Sequence, residues 1–171
     1  MKYPARLLVT ISLFVLAACS QTGRQIGSNL SLCCPGDYGS YREYRLEVID
    51  MPLFLRNYVV QEFEAAFLEK GLRRDDTFSD LRVVLRYNHI NLNPEEQDIN
   101  PFVRVEALNV ELDYIAEIIV EMYETRSNDQ VWEGSISRIH HVTPGEYMHE
   151  ERARPEFLNA FRELLVNYPS Q

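Results

Sequence analysis

The chain of 171 residues carries 17 Lys and Arg against 26 Asp and Glu, which gives a formal net charge of −9 at pH 7. An acidic surface repels nucleic-acid phosphates and anionic lipid head groups, and the sequence has no basic cluster with interleaved aromatic residues. The composition therefore argues against a nucleic-acid partner and against electrostatic adhesion to a membrane.

The first predicted element is an export signal over residues 1–18. Lys2 and Arg6 form a short basic stretch, and residues 7–18 carry no charge. A helix that crosses the hydrocarbon core needs about 20 apolar residues, so this run is too short to span a membrane. A basic head, an apolar middle and small residues at positions 17 and 18 are typical of a secretory signal peptide. The alternatives that this pattern leaves open are an ordinary signal peptide that happens to end near a cysteine and a buried first strand.

The segment Leu16-Ala17-Ala18-Cys19 resembles the lipobox of bacterial lipoproteins. The resemblance implies a diacylglyceryl group on the Cys19 thiol, cleavage between Ala18 and Cys19, and acylation of the new amino terminus. Each buried methylene contributes about 0.8 kcal/mol, so two or three acyl chains hold a protein on a bilayer without a transmembrane helix. By the same resemblance, Ser20 after the cysteine implies the outer membrane of a Gram-negative bacterium, with the protein facing the periplasm. In another bacterium the implied location is the cell membrane.

Residues 19–40 are predicted to form a lipidated, flexible tether. They are rich in Gly, Ser, Asn and Gln and show little apolar periodicity. Cys33 and Cys34 lie next to each other in this segment. A trans peptide holds neighbouring Cα atoms about 3.8 Å apart, whereas a disulfide prefers about 4.4–6.8 Å. The open alternatives are a strained disulfide, pairing with another chain, or two free thiols.

From residue 41 onwards the apolar residues become periodic. Alternation over residues 44–49 predicts a strand, and the next segment has the three-and-four spacing of a helix that ends at Gly71. Asp50 is placed to cap this helix, and Pro52 suits its first turn. The further predicted elements are a strand at 80–90, a polar loop at 91–101, a segment at 102–113 that is strand or loop, strands at 116–122 and 130–140, and a last helix from Pro155.

This order of elements predicts a single α+β domain over residues 41–171. Consecutive strands joined by turns favour antiparallel pairing, so we expect an antiparallel or mixed sheet of about four to five strands. Both helices are expected to pack on one face of that sheet. The other face is predicted to be a charged surface in water, formed by Arg82, Arg86, Glu117, Glu121 and Glu133.

Ligand-type side chains near the end of the chain do not predict a metal site. His140 and His141 are adjacent in a predicted strand, where neighbouring side chains point to opposite faces. His149 is followed by Glu150 and Glu151, but no HExxH spacing places two imidazoles on one helical face. The oxygen-rich residues 91–101 lack the Gly that an EF-hand loop needs for its turn. We therefore predict no metal and no cofactor.

The sequence also lacks the signatures of a catalytic site. Ser135 and Ser137 lie inside a predicted strand and have no GxSxG elbow that would expose a nucleophile. A phosphate-binding GxxxxGK[ST] loop is absent as well. We therefore predict no catalytic residue and expect that the protein is not an enzyme.

The final third of the chain resembles small outer-membrane lipoproteins catalogued only as domains of unknown function. The likeness rests on the strand with Trp132 and Gly134, on a last helix that ends in Tyr168 and Pro169, and on the helix–glycine–strand segment 63–87. The resemblance implies the same α+β shape and supplies no catalytic residue. For Trp132, packing in the core or filling the space beside a glycine is the expected role.

These observations together predict a lipid-anchored, non-catalytic envelope lipoprotein that acts as an adaptor or accessory subunit of an envelope assembly or transport complex. Its expected partners are membrane lipid, through Cys19, and another envelope protein; the oligomeric state stays open. The alternative is a carrier that holds an apolar ligand between sheet and helices. A hydrolase is the third hypothesis. The aromatic residues that permit a carrier are Phe54, Phe63, Phe67, Tyr87, Phe157 and Phe161.

Overall fold

A computed structural model describes residues 26–31, 36–92, 112–142 and 150–169 of the chain. The described residues form six strands, two α-helices and a 3-10 turn after the second helix, Leu165–Asn167. In chain order the elements are β1 (Ile26–Ser31), β2 (Glu43–Ile49), α1 (Leu53–Glu69), β3 (Arg73–Arg74), β4 (Leu81–Asn91), β5 (Leu112–Glu124), β6 (Gln130–Val142) and α2 (Glu150–Leu164).

The strands form one mixed sheet in the order β1-β6-β5-β4-β2-β3. β4, β5 and β6 are long and pair antiparallel, and β1 pairs antiparallel with the outer edge of β6. β2 pairs parallel with β4 because α1 carries the chain back across one face before β4 begins. The predicted α+β fold with a mixed sheet and two helices is therefore confirmed.

Three local predictions are wrong, each for an identifiable reason. The predicted tether contains β1, a polar strand at the edge of the sheet. β1 has no apolar pattern of its own, and six residue pairs with β6 hold it in place. The last helix was predicted to begin at Pro155, but α2 begins at Glu150 and includes Pro155. Because proline has no backbone N–H, one carbonyl of the preceding turn has no helical hydrogen-bond donor. Asp50 does not cap α1, because its φ of 55° places it in a left-handed turn and the N-cap position is Pro52.

The core lies between the helices and one face of the sheet. β4 and β5 contribute side chains of alternate residues, and α1 and α2 cover them from the same side. The largest fully buried side chains include Trp132, Tyr44, Phe63, Phe67 and Phe161. Arg162 at the end of α2 donates to both carboxylate oxygens of Glu69 in α1, which links the two helices at their solvent side.

Candidate interaction surface on the open face of the sheet

The face of the sheet that the helices leave uncovered is the candidate functional surface, and we call it the open face. Side chains alternate between the two faces along a strand, so every second residue points to the open face and the intervening residues point into the core. In the register of the sheet, β4 presents Arg82, Val84, Arg86, Asn88 and Ile90; β5 presents Tyr123, Glu121, Ile119, Glu117 and Ile115 opposite them; and β6 continues the rows with Glu133, Ser135, Ser137 and Ile139.

The central part of the open face is a network of long charged side chains. Arg86 lies 3.4 Å from a carboxylate oxygen of Glu121 on the neighbouring strand. Arg82 contacts Glu47 on the other side, also at 3.4 Å, and its guanidinium carbon lies 4.2 Å from the ring centre of Tyr123. The charged face predicted from alternation is therefore present, with opposite charges paired across neighbouring strands.

These side chains lie along the surface and cover the strand beneath them. Val84 is on the open face, yet only 2% of it is exposed. Its neighbours there are Arg82 and Arg86 along β4, with Glu47 and Glu121 directly opposite on the adjacent strands. Arginine side chains bury their methylene stems while the guanidinium stays in water. The centre of the open face is therefore closely covered although it is charged.

One end of the open face carries a row of apolar side chains, two of which are about half exposed. Ile90, Ile115 and Ile139 stand opposite one another on β4, β5 and β6 and form one row across the three strands, which we call the isoleucine row. Ile90 is 49% exposed and Ile139 is 56% exposed. Beyond the row, His141 pairs with Asp113 on the same face, so a polar pair borders it. Exposed apolar side chains that lie together are a feature of interaction surfaces, so this end of the open face is the candidate site.

The two histidines at the end of β6 are separated as strand alternation predicts. His141 lies on the open face, whereas the ring of His140 stacks on Tyr114 on the helix side at 4.9 Å. Burial, and secondarily the charge of Arg138, lowers the pKa of His140 to about 4. Within the described residues, no group of three or more His, Cys, Asp or Glu side chains is arranged to hold a metal ion. His149 lies outside the described residues.

The aromatic residues that would line a carrier site are mostly part of the core. Phe63, Phe67, Tyr87 and Phe161 are each at most 5% exposed. The rings of Phe63 and Phe67 lie 4.0 Å apart, and Phe161 meets Phe63 edge to face at 5.4 Å. Among the described residues, these side chains fill space between sheet and helices that the carrier hypothesis assigns to a ligand.

The other residues singled out in the sequence lie in the core, on the open face or outside the described residues. Trp132 and Tyr168 are buried together, with their rings edge to face at 6.4 Å. Ser135 and Ser137 lie within β6 on the open face. The lipidation and cleavage positions Ala18 and Cys19, the thiols of Cys33 and Cys34, and the segment 93–111 lie outside the described residues. Predictions made for these positions stay predictions.

The fold is shared with solved bacterial proteins of low sequence identity. A PDZ domain protein from Parabacteroides distasonis matches with a TM-score of 0.51 and 15% identity over 95% of this chain and 40% of that chain. A PelC dodecamer from Paraburkholderia phytofirmans matches with a TM-score of 0.50 and 6% identity over 82% of this chain and 96% of that chain. This chain therefore spans less than half of the first protein and nearly all of the second.

Bacterial lipoproteins are among the similar structures. The rare lipoprotein B from Shewanella oneidensis matches with a TM-score of 0.39 and 11% identity, over 74% of this chain and 92% of that chain. No protein-family model and no curated protein sequence matches the chain. In the part of the chain that the structure describes, no helix is both long and apolar enough to cross a membrane. The resemblance to a domain-of-unknown-function family stays a prediction.

Proposed function

We propose that this protein is a lipid-anchored lipoprotein of the bacterial cell envelope, held through Cys19, that acts as a non-catalytic subunit of an envelope assembly or transport complex. Its docking surface is the open face. The observation that carries the proposal is the isoleucine row, in which Ile90 and Ile139 are 49% and 56% exposed at one end of the open face. The charged side chains at the centre of that face, in contrast, cover the strand beneath them.

The proposed membrane location and lipid anchor rest on the sequence. Residues 16–19 match a lipobox after a basic head and an apolar run too short to span a bilayer. Two or three acyl chains on Cys19 supply stable anchoring, whereas a single chain gives only marginal binding. The resemblance to Gram-negative lipoproteins, in which Ser follows the lipidated cysteine, favours the outer membrane over the inner one for Ser20.

A protein of similar fold is described as an assembly of several copies. The PelC of Paraburkholderia phytofirmans that matches this chain is described as a dodecamer. At 6% identity that likeness supports the fold alone, so the assembly is carried over here only as a proposal.

Cleavage before Cys19 and acylation of Cys19 are tested by measuring the intact mass of the protein extracted from its native membrane. We expect the mass of residues 19–171 with two or three acyl chains. A Cys19→Ser variant should keep its signal segment and lose acylation, while a Cys33→Ser variant serves as the matched thiol control. A wild-type protein that retains Met1 would contradict signal cleavage and the lipid anchor at Cys19.

The docking role is tested in membranes with a photo-crosslinking amino acid at position 139. We expect a reproducible crosslinked product at this position and none when the same group replaces Val166 on the helix side, which is 66% exposed. Equal crosslinking from both positions would show that the open face has no special role.

A further inference from the structure

We propose that a short link to the acylated Cys19 holds one end of the sheet against the lipid bilayer. This is the end at which β4 finishes at Asn91 and β6 finishes at Val142, and we call it the anchor end. The inference rests on the proposed acylation of Cys19 and adds the orientation of the folded domain on the membrane. In this orientation the strands stand on the bilayer, and the open face is turned sideways toward other proteins of the same membrane.

The direction of β1 places the start of the folded domain near the anchor end. Ile26, the first residue of β1, pairs with Arg138, whereas Ser31 pairs with Glu133. Arg138 lies four residues before the end of β6, which is roughly 13 Å at about 3.3 Å per residue. β1 therefore runs away from the anchor end, and its first residue is the one nearest to that end.

The link between Cys19 and Ile26 is short, because it consists only of residues 20–25. A fully extended chain covers at most about 3.6 Å per residue, so the steps from Cys19 to Ile26 span at most about 25 Å. The anchor end lies well within this reach. The opposite end of the sheet, which we call the hairpin end, is where β6 begins at Gln130. Gln130 lies eight residues before Arg138, or roughly 26 Å back along β6, so an upright domain cannot rest on the bilayer with its hairpin end.

Helix α1 presents apolar side chains at the anchor end. β2 and β4 are parallel and run toward that end, and α1 begins three residues after β2. In the first turn of α1, Leu53 is 80% exposed and Phe54 is 54% exposed. Apolar side chains gain free energy at the boundary between head groups and acyl chains. An acidic protein gains little from anionic head groups, so this apolar contact is the one that suits a bilayer.

The hairpin end suits lipid contact less well. Phe78 is its most exposed apolar side chain among the described residues, at 76%. The carboxylate of Asp75 accepts hydrogen bonds from the backbone N–H groups of Thr77 and Phe78. Asp76 pairs with Arg74 next to it. Inserting Phe78 into lipid would therefore bring these charged groups out of water, which costs free energy.

The test compares two exposed leucines at opposite ends of α1. Leu53 and Leu68 are 80% and 58% exposed and lie roughly 22 Å apart along the helix at about 1.5 Å per residue. Leu53→Cys and Leu68→Cys are made in separate full-length chains in which Cys33 and Cys34 are replaced by Ser. Each chain is labelled with a polarity-sensitive fluorophore. The acylated protein is then placed in phosphatidylethanolamine–phosphatidylglycerol vesicles with or without brominated acyl chains, which quench the label on contact.

We expect brominated lipid to quench the label at position 53 several-fold more than the label at position 68. The emission at position 53 should also shift to shorter wavelength in vesicles, because the label leaves water. Equal quenching at the two positions, or stronger quenching at position 68, overturns the proposed orientation.

A longer link tests whether the link holds the domain in place. Inserting about 20 Gly and Ser residues after Gln25 adds roughly 25 Å of average reach. We expect quenching at position 53 to fall toward the value at position 68, because the domain can then leave the bilayer. Replacing residues 21–25 with the same number of Gly and Ser residues is the control and should leave the quenching unchanged. Quenching that survives the insertion would show that the short link is not what holds the domain.

The outcomes separate this inference from the proposed function. If the intact mass shows an acylated Cys19 but positions 53 and 68 are quenched equally, the lipid anchor stands and the orientation is wrong. If the protein from native membranes retains Met1, the lipid anchor itself is wrong, and the mass reports this before any label is attached. Crosslinking from position 139 tests the docking role of the open face independently of both.

Discussion

The indole ring of Trp132 occupies the space that a side chain at Gly134 would need. A Cβ atom built on Gly134 would lie 2.8 Å from Cη2 of Trp132 and 2.8 Å from Cδ1 of Leu164. Trp132 is fully buried and Leu164 is 3% exposed, so neither side chain has free space to move into. Gly134 is therefore required by packing, and the expected role of Trp132 beside a glycine is confirmed.

Replacing Gly134 with Ala is expected to lower the free energy of unfolding by about 1–3 kcal/mol, because the added methyl overpacks the core. Urea denaturation followed by tryptophan fluorescence measures the change. Gly39→Ala is the control, since the nearest atom to its added Cβ is an oxygen of Asp37 at 3.7 Å. Equal stability of Gly134→Ala and wild type would show that the indole has room to shift.

Two tyrosines in one aromatic cluster should respond differently to loss of the hydroxyl. Tyr38 donates to the carbonyl oxygen of Val131, whereas the buried hydroxyl of Tyr168 has no hydrogen-bond partner among the described residues. Tyr38→Phe is expected to cost about 1 kcal/mol of unfolding free energy, and Tyr168→Phe to cost nothing or to stabilise slightly. Denaturant midpoints of the two variants measure this difference. A cost for Tyr168→Phe as large as that for Tyr38→Phe would reveal a partner for the Tyr168 hydroxyl.

Arg82 is predicted to stabilise the open face through its stem and its contact with Tyr123, in addition to its charge. Arg82→Ala should cost about 1 kcal/mol of unfolding free energy because it uncovers Val84 and removes the cation–π contact. Arg82→Met, which keeps an unbranched stem, should recover part of this loss. Arg45→Ala on the neighbouring strand is the control, and an equal cost there would mean that coverage of Val84 is unimportant.

Stability is predicted to fall below neutral pH because of His140. Its pKa is lowered from 6.5 to about 4, first by burial and then by Arg138. Between those two values the unfolded chain takes up a proton that the folded protein does not, so the free energy of unfolding decreases as the pH falls from about 6.5 to about 4.

The expected loss is on the order of 1–2 kcal/mol, since His140 keeps some access to solvent that weakens the effect. His140→Phe retains a ring to stack on Tyr114 and should flatten the stability profile over this pH range. An NMR titration of the imidazole measures its pKa directly. A value near 6.5 for His140 would contradict the prediction.

The α+β class and most strand positions could be predicted from local patterns. Alternation over β4, β5 and β6 and the three-and-four spacing of α1 arise because one face of each element must be buried. β1 could not be predicted in this way, because its own residues carry no apolar pattern. It forms a strand because it pairs with the edge of β6. The parallel pairing of β2 with β4 likewise depends on the path of α1 across the sheet.

By itself, the amino-acid sequence determined which residues of each strand face water and therefore predicted a charged open face with Arg82, Arg86, Glu117 and Glu121. It did not show that Ile90, Ile115 and Ile139 form one row, because a row depends on the register between three strands. Only the tertiary structure sets that register, since a slip of one residue would turn every side chain of a strand to the opposite face.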